Sequence, residues 1–88
     1  MSGIRLHLLY FAWLRERIGR GEEEIEVPGE VRTLGALSAW LAARGPGYAS
    51  AFAAGKSVRA AVNQRFAGPE TALAPGDEVA FFPPVTGG

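Results

Sequence analysis

The sequence contains no cysteine, only one histidine and no net charge over its 88 residues. Each scarcity removes a class of function. Without cysteine there is no disulfide framework, no thiolate metal site and no cysteine nucleophile in the chain. His7 has no second ligand and no partner base in view, so it reads as a solvated strand residue, and no metal site is expected. Nine Lys and Arg balance nine Asp and Glu, so no global field would hold a polyanion or a membrane surface to the protein. Neither nucleic acid nor membrane is an expected partner. No apolar stretch is long enough to span a bilayer. The first residues, MSGIRLHLLYFAWLRER, lack the basic start and small-residue cleavage site of a signal peptide. A cytoplasmic location is the expectation.

What is present is a folding composition. With 48% hydrophobic and 20% charged residues, the chain can fill one modest core and is not polar enough for disorder. It shows no internal repeat, no low-complexity segment and no second domain. Ile4 to Phe11 alternates Ile4, Leu6, Leu8 and Tyr10 with Arg5, His7, Leu9 and Phe11, the period of a strand. AWLRERIG carries Leu14 and Ile18 four residues apart and stops at Gly19, the pattern of a short amphipathic helix. EEIEV turns Ile25 and Val27 inward before Pro28 and Gly29 break it, and it should pair with the first strand. TLGALSAWLAARGPG is the clearest helix, with Thr33 as N-cap, Leu34, Leu37 and Leu41 on one stripe, and Gly45 and Pro46 as the stop. GYASAFAAG gives only a loop or an irregular helical turn. SVRAAVN faces Val58, Ala60 and Val62 inward and Arg59 outward, PETALAPGDE is turn chemistry, and EVAFF is a last strand.

The order strand, strand, helix, strand, strand implies an α+β domain: a small sheet with one main helix on one face. One helix covers one face only. By alternation the open face carries Leu9, Phe11 and Phe82, and a contiguous exposed apolar patch marks a docking surface.

The chain closes on FFPPVTGG. Pro83 and Pro84 cannot donate to a sheet ladder and favour an extended backbone, so the strand must end there and the tail must project. The folded domain is therefore expected over residues 1–84 and a projecting tail over 85–88. From Pro84 to Gly88 the tail reaches on the order of 17 Å, enough to enter another protein's active site. A carboxylate at Gly88 becomes an acylating group once its oxygen is made a good leaving group. Glycine suits that position because no Cβ obstructs a narrow channel or the attack on the carbonyl.

LLYFAWLRERIG, AAVNQ and above all GDEVAFFPPVTGG resemble the MoaD/ThiS family of ubiquitin-like sulfur carriers, on its molybdopterin-synthase branch. The resemblance implies a ubiquitin-like β-grasp fold and a mechanism. An ATP-dependent activating enzyme would adenylate Gly88, a sulfur donor protein would convert the acyl-adenylate to a thiocarboxylate, and the charged carrier would dock on the large synthase subunit. There it would give sulfur to a pterin precursor, building the dithiolene of the molybdenum cofactor. The carrier would bind no cofactor and would not be catalytic alone. The resemblance places docking on Phe11 and Phe82 with Arg15 at the edge, and the tail Pro83, Pro84, Val85, Thr86, Gly87 and Gly88 in the partner's site, in a heterotetramer. Carriers for thiamine synthesis or tRNA thiolation, ubiquitin-like modifiers joined to lysines, and an inert β-grasp module are the alternatives.

The remaining polar residues read as structural. Asp77 and Glu78 are a turn and a strand start rather than paired catalytic carboxylates, because adjacent strand residues point to opposite faces. Glu22, Glu23, Glu24 and Glu26 read as a solvated hairpin edge that discourages edge-to-edge pairing. Trp13 and Trp40 read as core or half-buried packing, and Asn63 as a turn residue first and a partner contact second.

Overall fold

A computed structural model of the chain describes residues 3–53 and 58–84. Its elements are β1 (Ile4–Tyr10), α1 (Trp13–Ile18), β2 (Glu22–Val27), α2 (Leu34–Ala42), α3 (Pro46–Ala51), β3 (Arg59–Val62), β4 (Arg65–Ala67) and β5 (Glu78–Phe82). The five strands form one sheet in the order β2-β1-β5-β3-β4. β1 and β5 run parallel at its centre, and the other neighbours are antiparallel.

The inward residues follow the strand alternation. Leu6, Leu8 and Tyr10 of β1, Ile25 and Val27 of β2, Ala60 of β3, and Val79 and Phe81 of β5 are buried against Leu34, Leu37 and Leu41 of α2 and Leu14 of α1. Val58 and Val62 pack half-buried at the margin of this core. The Thr33 hydroxyl accepts from the Ala36 N–H at 3.2 Å, as an N-cap should. The next free amides of α2, at Leu34 and Gly35, donate to the Thr71 and Pro69 carbonyls at 2.9 and 2.8 Å, so the loop before β5 closes the helix start. Gly19 ends α1 in the left-handed conformation, φ 93°, with its N–H on the Arg15 carbonyl.

Three features depart from the sequence expectation. Pro46 does not stop α2, which ends at Ala42. It opens α3 instead, at the first helical position, where a missing N–H costs nothing. A fifth strand, β4, follows β3 through the two-residue turn Asn63-Gln64, both at positive φ (51° and 70°), the geometry of a primed hairpin turn.

The third departure is Glu23, whose side chain is only 5% exposed and which is not part of a solvated edge. The alternation that buries Ile25 and Val27 also turns Glu23 inward. Its Oε2 accepts from Tyr10 Oη at 2.7 Å, Tyr48 Oη at 2.8 Å and Arg44 Nη1 at 3.0 Å, and its Oε1 from Arg20 Nη1 at 3.1 Å. Arg44 also stacks on Tyr48, 4.7 Å from the ring centroid. This clasp ties α3 and the end of α2 to the first hairpin. Burial pushes the Glu23 carboxyl upward, but hydrogen bonds from Tyr10, Tyr48 and Arg44 outweigh it, and the group titrates below the usual carboxylate value. Burial and the bond to Glu23 raise both tyrosines. Glu22, Glu24 and Glu26 are exposed along β2 as expected.

Candidate functional site: the open sheet face and the tail exit

With the three helices of the described residues packed on one side, the other side of the sheet carries no helix among them, and strand register decides what it presents. Leu9 lies opposite Ala80, Ala80 opposite Ala61, and Ala61 opposite Phe66, so one apolar row crosses four strands. In the next row Phe82 lies opposite Arg59. Phe11 follows β1 beside them, its N–H donating to the Phe81 carbonyl at 3.1 Å. Ala12 then takes φ 57°, a left-handed-side value unusual for a residue with a Cβ, and the chain turns there into α1. That turn leaves Phe11 48% exposed.

Among the described residues Phe66 is the most exposed large apolar side chain, at 85%, and sequence reasoning missed it. Its ring meets Phe82 edge-on, with centroids 5.9 Å apart. Phe82 is half-buried as a result, whereas alternation alone suggested that it would stand largely open. The signal for Phe66 was the repeat of alternation in RFA after Asn63-Gln64, a turn that lacks the glycine of the commonest hairpin loops.

Phe11 and Phe82 follow the paired residues Tyr10 and Phe81 at the same end of the sheet. Arg15 projects from α1, exposed, and shares a shallow depression with Leu9, Phe11, Gly21 and Glu22. β5 is the middle strand, so Pro83 and Pro84, both half-buried, leave the sheet from within this apolar surface. Val85, Thr86, Gly87 and Gly88 lie outside the described residues.

The other polar residues are engaged locally. His7 Nε2 lies 3.0 Å from Glu22 Oε1, and among the described residues no cluster of His, Cys, Asp or Glu could hold a metal ion. Asp77 accepts from Asn63 Nδ2 and from the Ala74 N–H, each at 2.9 Å, while Asn63 Oδ1 accepts from the Glu78 N–H at 3.0 Å. Asn63 and Asp77 thus bracket two turns. Trp13 and Trp40 are half-buried, under the guanidinium groups of Arg17 and Arg44. Among the described residues no helix is long and apolar enough to cross a membrane.

Residues 8–88, from mid-β1 through the glycines, match the ThiS family. The chain belongs to that family. It is 43% identical over 83 residues to the molybdopterin synthase sulfur carrier subunit of Escherichia coli (strain K12), covering 94% of this chain and 99% of the relative. Among solved structures it resembles a Pyrococcus furiosus protein described as a candidate molybdopterin converting factor, subunit 1, with a TM-score of 0.76 and 29% identity over 93% of this chain and 99% of that one. Haloferax volcanii small archaeal modifier protein 1 gives a TM-score of 0.71 and 29% identity over 94% and 100% of the two chains. The fold is the ubiquitin-like β-grasp: a mixed sheet with β1 and β5 parallel at its centre and α2 as the main helix on one face.

Proposed function

We propose that this ThiS-family chain is the sulfur carrier subunit of a molybdopterin synthase. The observation that carries the reading is the placement of the tail root. The strand that launches the tail is the central one, flanked on the open face by Leu9, Phe11, Phe66 and Phe82. A partner seated on that patch must therefore receive the tail. The large synthase subunit is that partner, in a heterotetramer. The family match that runs through Gly88 supports the chemistry.

The Gly88 carboxylate attacks the α-phosphorus of ATP in an activating enzyme, and pyrophosphate leaves. The terminal sulfur of a donor protein's persulfide then attacks the acyl carbon, and AMP leaves. A thiol next cleaves the sulfur–sulfur bond of the acyl disulfide, so that the donor's inner sulfur passes into a new disulfide and the carrier keeps the outer one. The resulting thiocarboxylate is a stronger nucleophile than a carboxylate, so its sulfur bonds to an electrophilic carbon of the pterin precursor and displaces an oxygen substituent from it, leaving a thioester to the carrier. Water then cleaves the acyl carbon–sulfur bond and restores the carboxylate. Two such cycles supply both dithiolene sulfurs. The carrier itself holds no cofactor, and the residues from Pro83 to Gly88 serve as a guided arm within the cytoplasm.

Docking is tested at Phe66. Because it is 85% exposed, Phe66→Ala should change the unfolding temperature little while weakening binding to the large subunit about tenfold or more, as a central aromatic contact does. Binding measured by calorimetry beside a thermal melt decides it, and unchanged affinity would place the interface elsewhere. Arg15→Ala should weaken the same binding in a salt-sensitive way, because a rim charge is screened. Equal loss at 0.05 and 0.5 M salt, both values on the order of ordinary screening conditions, would remove Arg15 from the rim.

A second reading, a ubiquitin-like modifier, draws on the likeness to small archaeal modifier protein 1. It predicts isopeptide adducts between Gly88 and lysines of other proteins.

A further inference from the structure

Arg59 stands beside the tail exit, on β3 opposite Phe82. Among the described residues its guanidinium makes no hydrogen bond, ion pair or ring contact, whereas Arg17, Arg20, Arg32 and Arg44 are all engaged. Its register opposite Phe82 puts it on the open face. There it lines a groove of about 360 Å³ with Ala60, Phe66, Ala67, Phe82 and Pro84. A partner that covers Phe66 and Phe82 therefore covers Arg59 as well. Guanidinium does not lose its proton in proteins, so desolvating it unpaired is costly and the charge must be met by an acceptor. The planar fork matches a carboxylate through two parallel N–H bonds.

We infer that the large subunit sets an Asp or Glu carboxylate on Arg59, and that this pair is a determinant of which partner the carrier accepts. The inference rests on the docking reading above and adds a polarity to it. The open face carries Arg59 beside the tail, and along β2 it carries Glu22, Glu24 and Glu26, with Arg5 opposite Glu26 and His7 against Glu22. A complementary partner presents a carboxylate at Arg59 and no cation there. A partner with the reverse pattern is repelled, which sets specificity and orientation more than raw affinity.

The test titrates purified large subunit with the parent carrier and with Arg59→Ala, Arg59→Lys, Arg59→Glu and Phe82→Ala. At low salt, Arg59→Ala should bind about tenfold more weakly and Arg59→Glu about a hundredfold more weakly, with Arg59→Lys between parent and alanine because it keeps the charge and loses the fork. The Arg59 losses should shrink as salt rises, and the Phe82→Ala loss should not. Thermal unfolding of the Arg59 variants should match the parent, since this residue is exposed and has no partner among the described residues. If Arg59→Ala and Arg59→Glu bind like the parent while Phe82→Ala binds weakly, the carboxylate contact is wrong and the carrier reading stands. If the parent itself does not bind the large subunit, the carrier reading fails and the inference falls with it.

Discussion

Deleting Gly88, or adding one residue after it, should abolish sulfur delivery while leaving the folded domain intact. The core lies between the sheet and the helices and is complete by Phe81. Changes beyond Pro84 should therefore alter stability by no more than about 0.5 kcal/mol. Docking through Phe11, Phe66 and Phe82 should also survive. On the proposed function, activity depends instead on where the acyl carbon of Gly88 sits. Each residue of extended chain moves the terminus by about 3.5 Å, and an error of about 1 Å in a reacting atom can cost on the order of a hundredfold in rate. An added residue also places a side chain where only glycine fits. The measurement is dithiolene formation from the pterin precursor by each variant with the large subunit, beside a binding titration and a melt. A variant that binds, folds and still forms product at the parental rate would show that the terminus is not the reacting group.

Glu23→Ala should be strongly destabilising. It removes the acceptor shared by Tyr10, Tyr48, Arg20 and Arg44 and leaves two hydroxyls and two cations without their anion. Breaking one side of a buried ion pair costs about 3 to 5 kcal/mol. For a domain this size that lowers the melting temperature by on the order of 15 °C or more. The same clasp sets a pH dependence. The folded-state pKa of Glu23 is depressed, so its contribution to stability is present above the unfolded carboxylate pKa and is lost as pH falls through the folded value. Melts of the parent should therefore fall below about pH 4.5, the ordinary glutamate value, and part of that fall should be missing in Glu23→Gln. A Glu23→Ala melt within a few degrees of the parent would show that the clasp contributes little.

The contrast between Glu23 and Phe82 shows what the sequence could and could not reveal. Period-two alternation placed Leu6, Leu8, Val79 and Phe81 inward correctly because those strands have one buried face. The same alternation pointed Glu23 inward, but a charge was assigned to solvent. The partners that make its burial tolerable, Tyr48 and Arg44, come from a helix and a helix end far along the chain. The apolar open face was legible from Leu9, Phe11 and Phe82. Its largest exposed member, Phe66, was not, because β4 has three residues and its turn carries Asn63-Gln64 at positive φ without glycine. Prolines did mark boundaries, though Pro46 marked a beginning where a stop was expected, since a proline is equally at home in a helix's first turn. The proposed chemistry of the tail rests on FFPPVTGG and the family match, and its last four residues lie outside the described ones. What folding added is that the strand before it is the central one.

The most direct test of the account is the intact mass of the chain, with the carboxyl of Gly88 free, after incubation with the activating enzyme, ATP and a sulfur donor. The account predicts replacement of one oxygen by sulfur, dependent on ATP, confined by fragmentation to Gly88, and reversed when the charged carrier is mixed with the large subunit and the pterin precursor. An unchanged mass under conditions that charge a known carrier, or sulfur located anywhere but Gly88, would contradict it.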